Sequence, residues 1–329
     1  MLWHILKKIV VIGTGGTIAG QSGSAEDLTA YQAGELTIDE VLAIVPGVEN
    51  YGPFESKQLC NIDSSDMTMA IWMELARTVQ AAVDREDVAA VVITHGTDTM
   101  EEGSYFLQLT VQTNKPIVMV GAMRPATAIS ADGPLNLLQA MQIARSPEAV
   151  GKGVLVTLNG TINCAREVVK QHTTGSDAFG NAFFGHIGFV QDGIARFYYE
   201  SLRKHTAASE FAPLTAKELP MVALVYLYGG IDSNVLHSVL QTKPHGLVLA
   251  GLGHGILPER IRQLVENLDI PVVRSSRTGS GMVSAMPNDS RHGFIVSDTL
   301  APSKARILLT LGLTKTKDRA ALQEYFYEY

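Results

Sequence analysis

The sequence predicts an α/β protein in two parts, a larger doubly wound amino-terminal sheet domain followed by a smaller carboxy-terminal α/β domain. Three observations carry this expectation. Short apolar runs closed by glycine recur along the chain, as in strands buried on both faces of a parallel sheet. Amphipathic stretches of helical period lie between them. A polar stretch without clear period, residues 199–219, interrupts the rhythm, which then resumes.

Taken in order, Ile9-Val10-Val11-Ile12 opens the first strand and is closed by glycines. Met67, Ile71, Leu75, Val79 and Val83 recur every fourth residue and mark one face of a helix. Val91-Val92-Ile93, Ile117-Val118-Met119-Val120 and Val154-Leu155-Val156 repeat the buried-strand pattern. Pro134 is placed as an N1 proline, opening a helix through Leu135, Leu138 and Met141. The polar stretch contains Lys204, His205, Ser209 and Pro213 and is expected to be a linker. Beyond it come strands at Val222–Val225, Leu247–Leu249, Pro271–Val273 and Phe294–Val296. Helices are expected at Val235–Leu240, Arg260–Leu268 and Ala305–Leu313. The expected division is therefore residues 1–198, a linker at 199–219, and residues 220–329.

Composition narrows the function. The 329 residues are 46% hydrophobic and 18% charged, which excludes a disordered chain. A net charge of −7 argues against nucleic acid, because phosphate binding needs a basic face. No apolar run reaches the ~18 residues of a membrane span. Cys60 and Cys164 form neither a disulfide framework nor a CxxC or zinc spacing. Met1 to Lys8 lacks the apolar core and cleavage site of a secretory signal, so the chain reads as cytoplasmic. A periplasmic protein whose leader had been removed would read the same.

No HExxH, GxSxG or Walker motif is present. Gly13-Thr14-Gly15-Gly16-Thr17-Ile18-Ala19-Gly20 follows the first strand, but Ile18 stands where a dinucleotide fingerprint has its third glycine. Glycines allow a sharp turn and close approach to the backbone. A hydroxyl at the carboxyl end of a first parallel strand lies where open α/β sheets bind ligands. Thr17 is thus a candidate nucleophile with backbone N–H groups near it, and Thr14 has an equal claim on composition. The second cluster, Thr94-His95-Gly96-Thr97-Asp98-Thr99-Met100-Glu101, again follows a buried strand directly. Thr97 or Asp98 as a helix N-cap is the bland alternative. Asn61-Ile62-Asp63-Ser64-Ser65-Asp66 is cap-like as well, and a cap leaves N–H groups suited to a carboxylate. Lys170 and Tyr31 carry no signal by themselves.

The two threonine motifs together resemble the bacterial L-asparaginases, especially the type II group. Val120-Gly121-Ala122-Met123-Arg124-Pro125, Ser130-Ala131-Asp132-Gly133-Pro134 and Val273-Arg274-Ser275-Ser276-Arg277 fit the same family, and the likeness runs from about Ile9 to Tyr329. The resemblance implies the asparaginase/glutaminase-like two-domain fold and hydrolysis of L-asparagine to L-aspartate and ammonia through a threonine acyl-enzyme. It implies Thr17 as nucleophile, Tyr31 as the mobile-loop tyrosine bonded to it, and Thr97, Asp98 and Lys170 as a second catalytic set. Ser64 then binds the substrate α-carboxylate, Asp98 the α-ammonium, and the Ala122 carbonyl the side-chain amide. No metal or cofactor is implied. The resemblance also implies a homotetramer, a dimer of dimers, with each site completed by a partner subunit.

Three departures from the family pattern bear on specificity. Ser65 follows Ser64 where a glutamine or glutamate is usual. The 277–293 loop has no glutamate, leaving Asp289 or water to stand in beside the α-ammonium. Gly229-Gly230 replaces an expected asparagine after the Val222–Val225 strand. The rival functions are a glutaminase-asparaginase of broader specificity, a non-catalytic amino-acid-binding protein, and a nucleotide-binding α/β protein.

Overall fold

The computed structural model describes residues 7–26, 28–181 and 183–329. The first six residues of Met1–Lys8, the segment read for a leader, lie outside the described residues. By its contacts the chain divides into two units, Met1–Leu214 and Thr215–Tyr329.

In the first unit, strand and helix alternate through β1 (Lys8–Gly15), α1 (Ile38–Ala43), β2 (Phe54–Ile62), α2 (Met69–Val83), β3 (Val88–Thr94), α3 (Met100–Thr110), β4 (Ile117–Val120), α4 (Gly133–Arg145) and β5 (Val154–Leu158). These five strands pair in parallel in the order β2-β1-β3-β4-β5. The chain therefore steps outward from β1 to β2 and then crosses back to β3. The point of reversal, between the carboxyl ends of β1 and β3, is where such sheets open a ligand crevice. Both faces of the strands are covered, which is why they read as unbroken apolar runs. Ile9, Val11, Val92, Val118 and Leu155 pack with Leu137, Ala140 and Met141 of α4 in one cluster. Helices α2 and α3 pack against β3 and β5.

The sheet is mixed, beyond the parallel sheet expected from the apolar runs. It continues antiparallel through β6 (Thr161–Cys164), and later through β9 (Gly188–Gln191) and β10 (Ile194–Phe197). Between them β7 (Val169–Lys170) and β8 (Phe179–Gly180) form a separate two-stranded ribbon. The connection from β5 to β6 is Asn159-Gly160, and that from β9 to β10 is Asp192-Gly193. All four residues have φ between 50° and 80°. These dipeptides are the sequence signature of two-residue hairpin turns.

Helix α4 starts at Gly133, so Pro134 is its second residue, and Leu135 is exposed rather than core. The 199–219 stretch is partly built into the first unit. Ser209 Oγ donates to the Leu109 carbonyl at 2.6 Å, Phe211 is buried, and the Leu214 N–H donates to the Thr110 carbonyl.

The second unit comprises β11 (Val222–Tyr226), α5 (Ser233–Gln241), β12 (Gly246–Gly251), α6 (Glu259–Val265), β13 (Val272–Ser276), α7 (Asp289–His292), β14 (Phe294–Val296), α8 (Pro302–Gly312) and α9 (Arg319–Glu328). Its four strands are parallel, in the order β11-β12-β13-β14. Helices α5 and α6 seal one face through Leu236, Ile261 and Val265. Asp289 does not stand in as a free carboxylate. It is buried and committed to Arg274, whose Nε donates to Oδ1 at 2.8 Å and whose Nη2 donates to Oδ2. The rest of the Arg274 guanidinium donates to the carbonyls of His254, Gly255 and Ser284. A buried charge of this kind persists only when paired and fully bonded.

Candidate active site

Four turns, those after β1, β2, β3 and β4, meet at the reversal point of the first unit. Strand β1 ends at Gly15 and passes through Gly16, the two with φ of 97° and 82°, into a single helical turn, Thr17–Ala19. Both glycines are required there. A Cβ on Gly16 would fall 2.3 Å from the Cα of Gly96, and one on Gly15 would fall 2.5 Å from backbone atoms of Ile62. Backbone thus lies against backbone, which brings Thr17 up to the loop that carries Thr97. On the other side of that loop, a Cβ on Gly96 would meet Ser64 at 2.6 Å, so the Ser64 turn after β2 closes in as well. The turn after β4 completes the cluster, since a Cβ on Gly121 would lie 3.2 Å from Cγ2 of Thr97.

The two threonines that were equal on composition are separated by their hydroxyls. Thr14 is fully buried and its Oγ1 donates to the Thr94 carbonyl at 2.9 Å, tying β1 to β3. The Thr17 Oγ1 instead meets the Tyr31 hydroxyl at 2.6 Å. Tyr31 belongs to a segment whose ends are paired, Gln21 with Gln32. Burial pushes its phenol pKa above the ordinary value; the bond to Thr17 opposes this, while Asp63 and Asp98 add to it. The phenol is therefore held protonated, able to accept and donate but not to act as a standing phenolate.

On the second side of the crevice, Lys170 Nζ donates to Thr97 Oγ1 at 3.0 Å and to Asp98 Oδ1 at 2.6 Å. Lys170 is brought there by the β7–β8 ribbon, and its backbone N–H donates to the Glu101 carboxylate at 2.7 Å. That contact gives Glu101 a positioning part that the sequence alone did not suggest. The capping alternative for Thr97 and Asp98 fails. Helix α3 starts at Met100 after Thr99, and the Thr99 hydroxyl donates to the Ser64 carbonyl at 2.8 Å. Ser64 is buried and its Oγ accepts from the Asp98 N–H at 3.1 Å. Ser65 is exposed, its N–H spent on Asp63. Ala122 is fully buried just beyond β4. Each of the eight residues singled out from the sequence thus lies on one of these loops or on the two segments that reach them. Among the described residues no group of three or more histidine, cysteine, aspartate or glutamate side chains is arranged to hold a metal ion.

His95 braces the second loop from within. It is fully buried, and its Nδ1 donates to the Gly96 carbonyl at 2.7 Å. Burial pushes the imidazole down to about 4, against the pull of that carbonyl. Above pH 6.5 both folded and unfolded chains hold it neutral, and its contribution to stability is fully present. As pH falls from 6.5 to about 4, only the unfolded chain takes up the proton, so stability falls by up to roughly 3 kcal/mol. Urea unfolding at pH 7.5 and pH 5 should therefore show a larger loss in the natural protein than in His95→Asn. Equal losses would contradict the assignment.

Fold and candidate site together describe a two-domain α/β protein with a cluster of hydroxyl and charged side chains at the switch point of its larger sheet. Residues 8–203 match the family model "Asparaginase, N-terminal" and residues 221–326 match "Glutaminase/Asparaginase C-terminal domain", and the chain belongs to the asparaginase family. It is 40% identical to L-asparaginase 2 of Bacillus subtilis (strain 168), over 98% of this chain and 87% of that one. It is 38% identical to the glutaminase-asparaginase of Pseudomonas fluorescens biotype A, over 98% and 91% of the two chains. Among solved structures it resembles the probable cytoplasmic L-asparaginase from Campylobacter jejuni. There the TM-score is 0.95 and the identity 42%, over 98% of this chain and 100% of that one.

Proposed function

We propose that this protein hydrolyses L-asparagine to L-aspartate and ammonia through an ester on Thr17. The observation that carries the proposal is the Thr17–Tyr31 contact, because it leaves one threonine of the β1 turn free to react while Thr14 is bonded into the sheet. Binding follows from the unused valences around it. Ser64 accepts from Asp98, so its own proton is free for the substrate α-carboxylate. Asp98 gives one oxygen to Lys170 and, being half-exposed, keeps the other for the α-ammonium. The Ala122 carbonyl accepts from the carboxamide N–H.

In the chemical step, Thr17 Oγ attacks the carboxamide carbon. The hydroxyl proton passes through the Tyr31 phenol and ends on the departing nitrogen as the C–N bond breaks, releasing ammonia and leaving an aspartyl ester. Thr97 already accepts from Lys170, so its own O–H points away and donates a hydrogen bond to the carbonyl oxygen as that atom gains charge, keeping its proton throughout. Water then attacks the ester, giving L-aspartate and the free threonine. Ammonia release from L-asparagine above background tests this reading directly. Its absence would refute it and favour a non-catalytic amino-acid-binding protein.

Asparagine is expected to be preferred over glutamine. Ser65 cannot reach as far as the longer residues usual at that position, and Asp289 is occupied by Arg274. Lost contacts weaken binding of either amino acid by on the order of 1–3 kcal/mol each. The longer glutamine depends more on being held correctly, so misplacement costs it more turnover. Equal kcat/KM for the two amides would contradict this and favour the broader activity named for the Pseudomonas relative. The protein is further expected to assemble as a homotetramer, and light scattering that finds a fully active 35.4 kDa monomer would overturn that expectation.

A further inference from the structure

The motif Ser130-Ala131-Asp132-Gly133-Pro134 takes no part in the chemistry above, yet its aspartate is oddly used. Asp132 occupies the N-cap position of α4, where an aspartate ordinarily accepts from a backbone N–H of the first turn of its own helix. Its carboxylate makes no such bond. Instead Oδ2 accepts from the Met123 N–H at 3.0 Å and Oδ1 from the Arg124 N–H at 3.0 Å. Asn136, one turn into α4 and buried, donates through one amide nitrogen to Asp132 Oδ2 and to the Gly121 carbonyl, both at 3.0 Å. Its Oδ1 in turn accepts from the Asn159 N–H at 3.0 Å.

The Met123 N–H and the Ala122 carbonyl belong to one peptide unit. Such a unit is planar and trans, so its C=O points opposite to its N–H. A grip on the N–H therefore sets the direction of the carbonyl. A carboxylate bonded to the N–H end also draws the proton towards itself and raises the electron density at the oxygen end, strengthening it as an acceptor. The gripped turn lies at the site. A Cβ on Gly133 would fall 3.0 Å from Ile18, the neighbour of Thr17, and 3.4 Å from the Ala122 Cβ.

We infer that Asp132, braced by Asn136, is a positioning residue that aims and polarises the Ala122 carbonyl, and so selects carboxamide over ester at the scissile group. This rests on the reading that Ala122 receives the carboxamide N–H. An ester has no N–H to offer that carbonyl, so it provides the control. L-Aspartate release is measured from L-asparagine and from the β-methyl ester of L-aspartate, with the natural protein, Asp132→Asn and Asp132→Ser. Asn keeps the shape but puts an N–H or a weaker acceptor where the carboxylate stood. Ser is a sound N-cap that preserves the helix start but is too short to make the grip. Either variant should lose about 10- to 100-fold in kcat/KM for asparagine, the range of one lost hydrogen bond. The ester kcat/KM should change by less than about 3-fold, on the view that it never used that bond. Equal losses on both substrates, the mark of a general structural defect, would overturn the inference, as would no loss on asparagine. A natural protein inactive on both substrates would instead sink the hydrolase reading, and the inference with it.

Discussion

Thr17→Ala is expected to lower asparagine turnover by roughly 10⁴-fold or more while the protein stays folded, because it removes the atom that forms the ester. The change is mild for the fold. Thr17 lies in a single helical turn, and its hydroxyl is shared with Tyr31 rather than with a structural carbonyl. Substrate binding should survive, since Ser64, Asp98 and Ala122 lie on other loops. The informative comparison is Thr14→Val. That change removes a buried bond between β1 and β3, and its cost should fall mainly on stability rather than on kcat. Ammonia release from both variants, alongside their thermal melting, checks the pair. A Thr17→Ala protein with natural kcat would end the nucleophile assignment.

Lys170→Met should cost about 10²- to 10⁴-fold in kcat, the usual worth of a group that manages a proton in the transition state. Nζ bonds Thr97 and Asp98 together, so its loss frees the Thr97 proton to turn back towards Asp98. The chemical step then loses its donor, while the Asp98 carboxylate remains for the α-ammonium. The effect should therefore appear in kcat more than in KM. Thr97→Val should give a comparable kcat loss, and Asp98→Ala should lose binding as well. Steady-state kinetics of the three variants distinguish these outcomes. A Lys170→Met change confined to KM would contradict the role given to the Thr97–Lys170 pair.

Much of this was legible in the sequence, for reasons that differ from place to place. The parallel strands were visible because burial on both faces leaves an unbroken apolar run, as in Ile117–Val120, whose bounds in the structure are those read from the sequence. The antiparallel strands β6, β9 and β10 are short and carry no such run. Their signal lay in the turns, Asn159-Gly160 and Asp192-Gly193. Helix α9 was missed because it contains only two buried side chains, Leu322 and Phe326. At the site, motif spacing placed hydroxyls at strand ends but could not say which was already bonded; only the Thr94 carbonyl beside Thr14 separates the two threonines. Lys170 was silent locally because a pairing across 73 residues places it beside Thr97. Asp132 looked like an ordinary cap, and its backward bonds to Met123 and Arg124 depend on the folded turn.

Hydroxylamine partitioning tests the ester on Thr17 most directly. Hydroxylamine competes with water for an acyl-enzyme, giving the β-hydroxamate of aspartate beside aspartate itself. L-Asparagine and the β-methyl ester of L-aspartate differ only in the group that leaves before that competition begins. If both pass through the same aspartyl ester, the ratio of hydroxamate to aspartate at a fixed hydroxylamine concentration is the same for the two substrates, and Thr17→Ala forms neither product. A ratio that depends on the substrate, or asparagine consumed with no hydroxamate formed, would contradict a common ester on this threonine.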